Sequence, residues 1–363
     1  MKLSVKTVVL QEMVSKAIKG AGFNKMLPLT SLMAIELKDK QLKLITADKV
    51  MNYLYIMHDN VESEDFYAVV QAEQFAKLIS KLTSDDMTLS LNNGILEVKA
   101  NGTYKIELPL DENGETIKYP DPVNESPIEG EPITTINLAT IKTILNTNKA
   151  SLAVTMEEPA YTNYYVGDKV VSSDFVKICG LDTKLFDEAM LISPETMNLL
   201  DVVTEEKINV YVEDDVVEFV TKDCIVYAHK AEGIEDYAID AINRLLDEEF
   251  ASSCEINKAA MLSLLDRISL FVGVNDKRSI TFTFTEEGID ISSKQSNGVE
   301  TIKYIKSTNF KPYTCLVDIV MLTQQVKAIT SEVICLQYGN EQSIKFVDGN
   351  VTQILALLNE DNE

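Results

Sequence analysis

"NNGILEVKANGTYKIEL", residues 92–108, holds two short apolar-rich runs split by turn residues, and the same pattern returns twice. Its counterparts are "EDDVVEFVTKDCIVYAH" at 213–229 and "NEQSIKFVDGNVTQILAL" at 340–357, with Leu96, Val217 and Ile344 at matching places, 121 and 127 residues apart. Asn93-Gly94 opens the first meander; Asn-Gly is the strongest short-range hairpin signal, because both central positions of a type I′ turn need φ > 0. A repeat this long is not a solenoid element, whose units run roughly 20–45 residues. Each unit is instead a domain with its own core. Three alike domains in one chain suggest an arc or ring built from one part.

Helix-like stretches frame each meander. "QAEQFAKLISKLT" (71–83) places Phe75, Leu78, Ile79 and Leu82 at the spacing of one buried helical face. "SPETMNLLDVV" (193–203) starts with a capping Ser193 and Pro194 at the first helical position, and "DIVMLTQQVKAIT" (318–330) precedes the third meander. A longer amphipathic stretch opens each unit: 6–22, 137–152 and 257–273. Strand-like runs such as 31–57 and 279–305 lie between the two helices. The segment "DENGETIKYPDPVNESPIEGEP" (111–132) carries four Pro and no apolar periodicity, so it reads as a linker. A second, less marked joint lies near 245–253. The predicted domains are 1–126, 127–250 and 251–363, of an α+β class with antiparallel sheets.

The chain is long enough, at 363 residues, for two or three domains, and its 45% apolar and 25% charged content is globular. No apolar run approaches the roughly 18 residues of a membrane-spanning helix. The N-terminus begins like a secretory signal, but Gln11 and Glu12 interrupt its apolar region. Five cysteines (179, 224, 254, 315, 335) show neither a C-x-x-C pair nor a metal spacing. These features predict a cytoplasmic protein with reduced thiols, no metal and no cofactor. A net charge of −24 argues, by itself, against nucleic acid, since non-specific DNA binding rests on neutralising phosphates with Lys and Arg.

The order of elements across the whole chain resembles the bacterial sliding clamp, the beta subunit of DNA polymerase III. Local wording agrees: "MLPLTSLMAIELKDKQLKLITADKVM" (26–51) has the family's Leu-Pro, strand, turn, strand and Thr-x-Asp step. "YPDP" (119–122) resembles the Phe-Pro step closing the first domain; "SSDF" (172–175) and "EDY" (235–237) stand where the family has Thr-Asp-Gly and Pro-Asp-Tyr. The resemblance implies three repeated domains of the DNA-clamp fold in a head-to-tail homodimer, a ring with helices lining a channel around double-stranded DNA and sheets outside. It implies a non-catalytic processivity factor in DNA replication, served by a clamp loader and tethering a DNA polymerase.

That arrangement makes the acidity testable. The six helix-like segments that would line the channel carry a net charge of +4, leaving −28 for the rest of the chain. On this reading Lys16, Lys19, Lys25, Lys77, Lys81, Lys142 and Lys149 contact DNA without sequence preference. The resemblance also implies a dimer contact between Leu270 and Phe271 on one protomer and an edge strand near Thr103–Lys105 on the other. A pocket for a partner's extended peptide would involve Tyr161, Ser173, Phe175, Lys177, Ile178, Ile239, Ile354, Ala356 and Leu358. Here the sequence departs from the family. Phe175-Val176-Lys177-Ile178 replaces Gly-His-Arg-Leu, Glu235 replaces a Pro, and "ILALLNEDNE" replaces an ending like Met-Pro-Met-Arg-Leu. Phe175 puts a large side chain where the family has its smallest residue, which narrows the expected pocket. Glu235 and the acidic tail favour basic peptides over acidic ones.

Other motifs carry little chemistry. His58 and His229 lie on strand-like runs without a nucleophile at a motif spacing. "DENGE" (111–115) lacks the Gly and Glu of a calcium loop, with Thr116 and Pro122 at those positions. Gly20 and Gly22 lack the third glycine and preceding strand of a dinucleotide fingerprint. Asp85-Asp86, Asp214-Asp215 and Glu248-Glu249 fall in apparent turns or joints. Two other classes stay open at this point: an acidic hydrolase whose carboxylates meet only in space, and a scaffold that binds protein only.

Overall fold

The computed structural model describes residues 2–111, 113–273, 278–293 and 297–359. Its backbone follows one device used repeatedly: a strand runs straight into a helix without a loop. Lys2–Lys6 enters Thr7–Ala17, Phe66–Gln71 enters Ala72–Ile79, and Thr134–Asn137 enters Leu138–Thr147. Ser252–Asn257 enters Lys258–Ser269, and Tyr313–Asp318 enters Ile319–Ala328. Met190–Ile192 reaches Pro194–Leu200 through Ser193 alone. The last strand residue keeps extended geometry while capping the helix. Asn257 accepts the Ala260 N–H at 2.8 Å; Asp318 accepts those of Val320 and Met321 at 2.7 and 3.0 Å. These are the six helices the periodicity predicts, each shorter at its ends. Of the stripe in 71–83, Phe75, Ile79 and Leu82 are buried.

The meanders form as the turn chemistry dictates. Asn93 and Gly94 have φ of +48° and +75°, joining Asp86–Asn92 to Ile95–Lys99. In the second meander Asp214, at φ +45°, opens the turn from Lys207–Glu213 to Val216–Val220. Gly349, at φ +62°, serves the third between Ser343–Asp348 and Val351–Ala356.

The chain divides into two compact units, one of Met1–Ile141 with Glu195–Lys230 and one of Lys142–Pro194 with Ala231–Glu363. Each contains one small and one large antiparallel sheet. In the first, the small sheet runs Lys2–Lys6, Asp86–Asn92, Ile95–Lys99, Thr103–Glu107. Its large sheet runs Phe66–Gln71, Leu32–Lys38, Gln41–Ala47, Tyr53–His58, Cys224–His229, Val216–Val220, Lys207–Glu213, Thr134–Asn137. In the second unit, the large sheet joins Lys177–Leu181 to Val351–Ala356, and the small sheet runs Val299–Lys303, Gly288–Ser293, Ser279–Phe284, Tyr313–Asp318. The stretch 127–250 therefore contributes strands to both units, and the sheets run through the two joints marked by the sequence.

Both joints are docked. Tyr119 is buried among Leu32, Ala34, Ile45, Tyr53 and Tyr55, and its N–H donates to the Tyr67 hydroxyl at 2.7 Å. Lys43 reaches across the sheet face to Glu36 at 2.7 Å and Asp121 at 2.8 Å. The second joint shrinks to a few residues because a helix absent from the sequence reading, Ile239–Asp247, fills the chain up to it. There the Lys345 ammonium donates to the Glu248 carbonyl at 2.8 Å and lies 5.6 Å from the Phe250 ring centre.

One carboxyl in the first unit works against this order. Glu218 is 5% exposed, opposite Tyr211 and Tyr227 on neighbouring strands, and its Oε1 has no hydrogen-bond partner among the described residues. Burial, with a smaller effect from Glu213, pushes its pKa up to about 7. The folded value lies above the unfolded one, so the folded state prefers the neutral acid. The cost of ionising it is absent at acid pH, builds from about pH 4.5 to 7 and is complete above that. Glu218→Gln is expected to stabilise the protein by about 2–3 kcal/mol at pH 8 and by much less at pH 5.5. Unfolding curves of parent and variant at the two pH values check this; a gap that does not widen with pH refutes it.

Candidate partner and nucleic-acid interfaces

The seven candidate lysines differ in how free they are. Lys16, on Thr7–Ala17, is only 16% exposed; its ammonium lies 3.2 Å from Glu12, 3.5 Å from Asp223 and 3.4 Å from the Thr204 hydroxyl. It ties its helix to the loop around Asp223. Lys77, on Ala72–Ile79, is exposed but pairs with Glu73 one turn earlier at 2.6 Å. Lys19, Lys25 and Lys81 are exposed in the first unit, as are Lys142 and Lys149 in the second. On the opening helix of the third repeat, Arg267 is paired in the same way and Lys258 is held by carbonyls. Arg267 grips Glu300 with two bonds of 2.8 and 2.6 Å, and Lys258 donates to the carbonyls of Lys327 and Ile329. Lys16, Lys77 and Arg267 are therefore already matched by carboxylates.

Among the described residues, two of the terminal strands bear on the expected dimer contact. Thr103–Glu107 pairs only with Ile95–Lys99, and Thr103, Tyr104 and Lys105 are exposed. In the second unit Val299–Lys303 pairs, among the described residues, only with Gly288–Ser293. Beside that edge, just past Lys258–Ser269, Leu270 is 81% exposed and Phe271 51%. A Cβ at Gly298 would come within 2.9 Å of the Phe271 ring, so glycine there lets the ring lie against the start of the edge strand. An open ladder beside bare apolar side chains is the combination that monomeric proteins avoid.

The nine candidate pocket residues, all in the second unit, divide into three groups. Tyr161, Ile178, Ile239 and Ile354 meet in one apolar cluster with Val171, Leu191 and Tyr237. Phe175 lies over it, its ring 4.3 Å from that of Tyr161; Tyr161 stacks on Tyr237 at 4.5 Å, and Tyr237 meets Tyr165 at 5.3 Å. Burial raises the Tyr237 hydroxyl well above the ordinary tyrosine range. Ser173, beside Ile178 in the ladder, is buried and accepts the Phe175 N–H at 3.2 Å.

Lys177 belongs elsewhere. It precedes Ile178 on the same strand and so points to the opposite face, where its ammonium meets the Ala150 carbonyl at 2.5 Å, Gln324 at 2.7 Å and Asp174 at 3.3 Å. Ala356 and Leu358 continue toward a neighbouring groove. The Ala356 N–H donates to Val176 and that of Leu358 to Leu316, on the outer side of Tyr313–Asp318. The groove, of about 430 Å³, is lined by Tyr313, Leu316, Glu341, Leu357 and Leu358 among others. The sequence reading missed Tyr165, Tyr237 and Leu316. Tyr237 was visible in "EDY", but nothing local marks it as a stacking partner of Tyr161, 76 residues away.

The motifs read as structural sit in structural surroundings. Asp111 accepts the N–H groups of Asn113 and Glu115 at 2.9 and 2.8 Å, which makes it a turn former. His229 Nδ1 lies 3.1 Å from Asp215. Burial pushes the thiols of Cys179, Cys224, Cys254 and Cys315 up to about 12, far from a reactive thiolate. Among the described residues no helix is long and apolar enough to cross a membrane, and no His, Cys, Asp and Glu side chains form a metal-binding group.

Comparison with known proteins places this geometry. Residues 1–116 match the family model of the DNA polymerase III beta subunit, N-terminal domain. No curated protein sequence matches the chain. Among solved structures, the DNA polymerase sliding clamp from Bacillus subtilis is 14% identical, with 99% of each chain covered and a TM-score of 0.83. The DNA polymerase III beta subunit from Thermotoga maritima is 17% identical over 99% of each chain at 0.81. That of Borrelia burgdorferi, solved with a natural product, is 15% identical over 99% of this chain and 100% of its own at 0.83. The first 116 residues are thus similar to the N-terminal domain of the DNA polymerase III beta subunit, and the chain as a whole has the fold of the bacterial sliding clamps.

Proposed function

We propose that this chain is a DNA sliding clamp: a non-catalytic processivity factor that closes around duplex DNA as a head-to-tail homodimer and tethers a DNA polymerase. Tethering turns rebinding into a local event at high effective concentration. The observation that carries the reading is an edge strand, Val299–Lys303, beside exposed Leu270 and Phe271 in one unit and the edge strand Thr103–Glu107 in the other, within a chain of clamp fold. The two surfaces differ, so their contact is heterologous, and two such contacts close a dimer under a two-fold axis. The recurring strand-to-helix junctions support three clamp domains, 1–126, 127–250 and 251–363, whose sheets continue across the joints. A clamp loader is the partner that a closed ring requires. The cytoplasm is where such a protein works.

Extending the sheet from Thr103–Glu107 of one protomer to Val299–Lys303 of its partner would satisfy both ladders and cover Leu270 and Phe271. Leu270→Ala with Phe271→Ala is expected to give folded monomers in sedimentation analysis. A double variant that stays dimeric with parental stability would place the contact elsewhere.

Matched lysines imply weak phosphate contacts. Binding to short linear duplex should be weak and fall steeply with salt, whereas retention on a closed circle should depend far less on salt and vanish when the circle is cut. Equal salt sensitivity on linear and circular DNA would sink encirclement. Within the lysine set, Lys19→Ala, Lys81→Ala and Lys142→Ala together should weaken linear-duplex binding several-fold. Lys16→Ala should instead lower the melting temperature and leave that binding nearly unchanged.

A further inference from the structure

The turn that holds Phe175 is built firmly around an unfavourable conformation. Asp174 Oδ1 accepts the N–H groups of Val176 and Lys177 at 3.1 and 2.6 Å, and the Phe175 N–H donates to the Ser173 hydroxyl. Lys177, itself buried, holds Asp174 from behind. At the centre Phe175 has φ of +68°, a region where a bulky side chain is strained and glycine is at ease. The ring is nevertheless 59% exposed, and its one ring contact is the tilted approach to Tyr161.

The surface beneath it is fixed by polar anchors that Phe175 lacks. The Tyr161 hydroxyl accepts the Ala238 N–H at 3.0 Å, the Tyr237 hydroxyl donates to the Val171 carbonyl at 3.4 Å, and the two rings stack nearly parallel. The outer face of Tyr161, backed by the stacked Tyr237 ring, is therefore covered by one strained and half-exposed phenyl ring.

We propose that Phe175 is a displaceable plug: a self-ligand covering the outer face of Tyr161, which Tyr237 backs, until an aromatic side chain of a partner peptide takes its place. The proposal rests on the tethering function above and concerns the regulation of the same partner surface. The group now seated on that face is a benzene ring, so the replacement that keeps the contact is another ring of that size. Exposed Glu235, Asp236 and Asp240, on the segment carrying Tyr237, favour basic residues flanking that ring. The plug sets a threshold. A peptide whose anchor is small gains too little to expel Phe175, so the chain discriminates partners by anchor size.

The test uses the full chain and Phe175→Gly, which accepts the same φ without strain. The first probe is 4-methylphenol, followed by ligand-observed NMR. It should bind Phe175→Gly at least tenfold more tightly than the parent, and the gain should disappear when Tyr161→Ala is added. The second probe is acetyl-Lys-Ser-Leu-Phe-Lys-amide, compared with its Ala-for-Phe counterpart by calorimetry. The Phe peptide should gain at least tenfold on Phe175→Gly, and the Ala peptide should gain nothing. Equal or weaker binding of 4-methylphenol by Phe175→Gly would overturn the plug, because Phe175 would then be an ordinary wall of the site. A gain for 4-methylphenol without one for the Phe peptide would overturn a peptide ring as the occupant. Failure of circle retention with both gains intact would refute the clamp function and leave the plug standing.

Discussion

Backbone pairing between segments far apart in the chain is the constraint on which the rest depends. In the first unit Tyr53–His58 pairs with Cys224–His229, so that Ile56 faces Cys224 and Tyr53 faces Tyr227. In the second, Lys177–Leu181 pairs with Val351–Ala356 in five successive registers. Each large sheet is therefore assembled from two repeats, and neither repeat's strands can be removed without exposing a ladder. The aromatic cluster around Tyr53, Tyr55, Tyr119 and Tyr227 forms on the face that this pairing creates. The apolar cluster around Tyr161, Ile178 and Ile354 forms in the same way on the second sheet. Packing follows the pairing, because a one-residue slip would turn every one of these side chains to the opposite face.

What the sequence discloses is local. Asn93-Gly94 and Gly349 announce their turns because each dictates a backbone conformation within two residues. Helical stripes such as Phe75, Ile79 and Leu82 are legible for the same reason. The linker's composition correctly shows irregular backbone, but not that Tyr119 and Asp121 are pinned down, since their partners Tyr67 and Lys43 lie 52 and 78 residues away. The helix Ile239–Asp247 escaped notice although Ile239, Ile242 and Leu246 stand at i, i+3 and i+7, a stripe legible in the sequence.

The candidate sites were legible as neighbourhoods and less so as roles. Leu270 and Phe271 stand out as exposed apolar side chains at a helix end, where resemblance placed them. Phe175 lies against Tyr161, a contact between residues 14 apart that no local pattern announces. Lys177 faces away because strand alternation assigns it and Ile178 to opposite sides, a rule visible in sequence once the strand Lys177–Leu181 is recognised. Lys16 could not have been separated from Lys19 by inspection. Its distinguishing partner, Asp223, lies 207 residues away.

On the clamp reading, the pairing of cations bears on how an acidic chain would handle DNA. A protein that holds duplex by charge alone must present many unmatched Lys and Arg side chains, and its affinity then collapses as salt rises. Here Lys16, Lys77 and Arg267 are each engaged by carboxylates of the same chain. That arrangement would be a defect in a surface binder. In a ring it is consistent with the task, because linkage to the duplex is topological and strong phosphate contacts would only resist sliding. On the same reading, acidity outside the helices would have a complementary effect, repelling DNA from surfaces where binding would compete with threading. On the clamp reading, a net charge of −24 and a DNA partner are compatible because closure supplies the retention that charge does not.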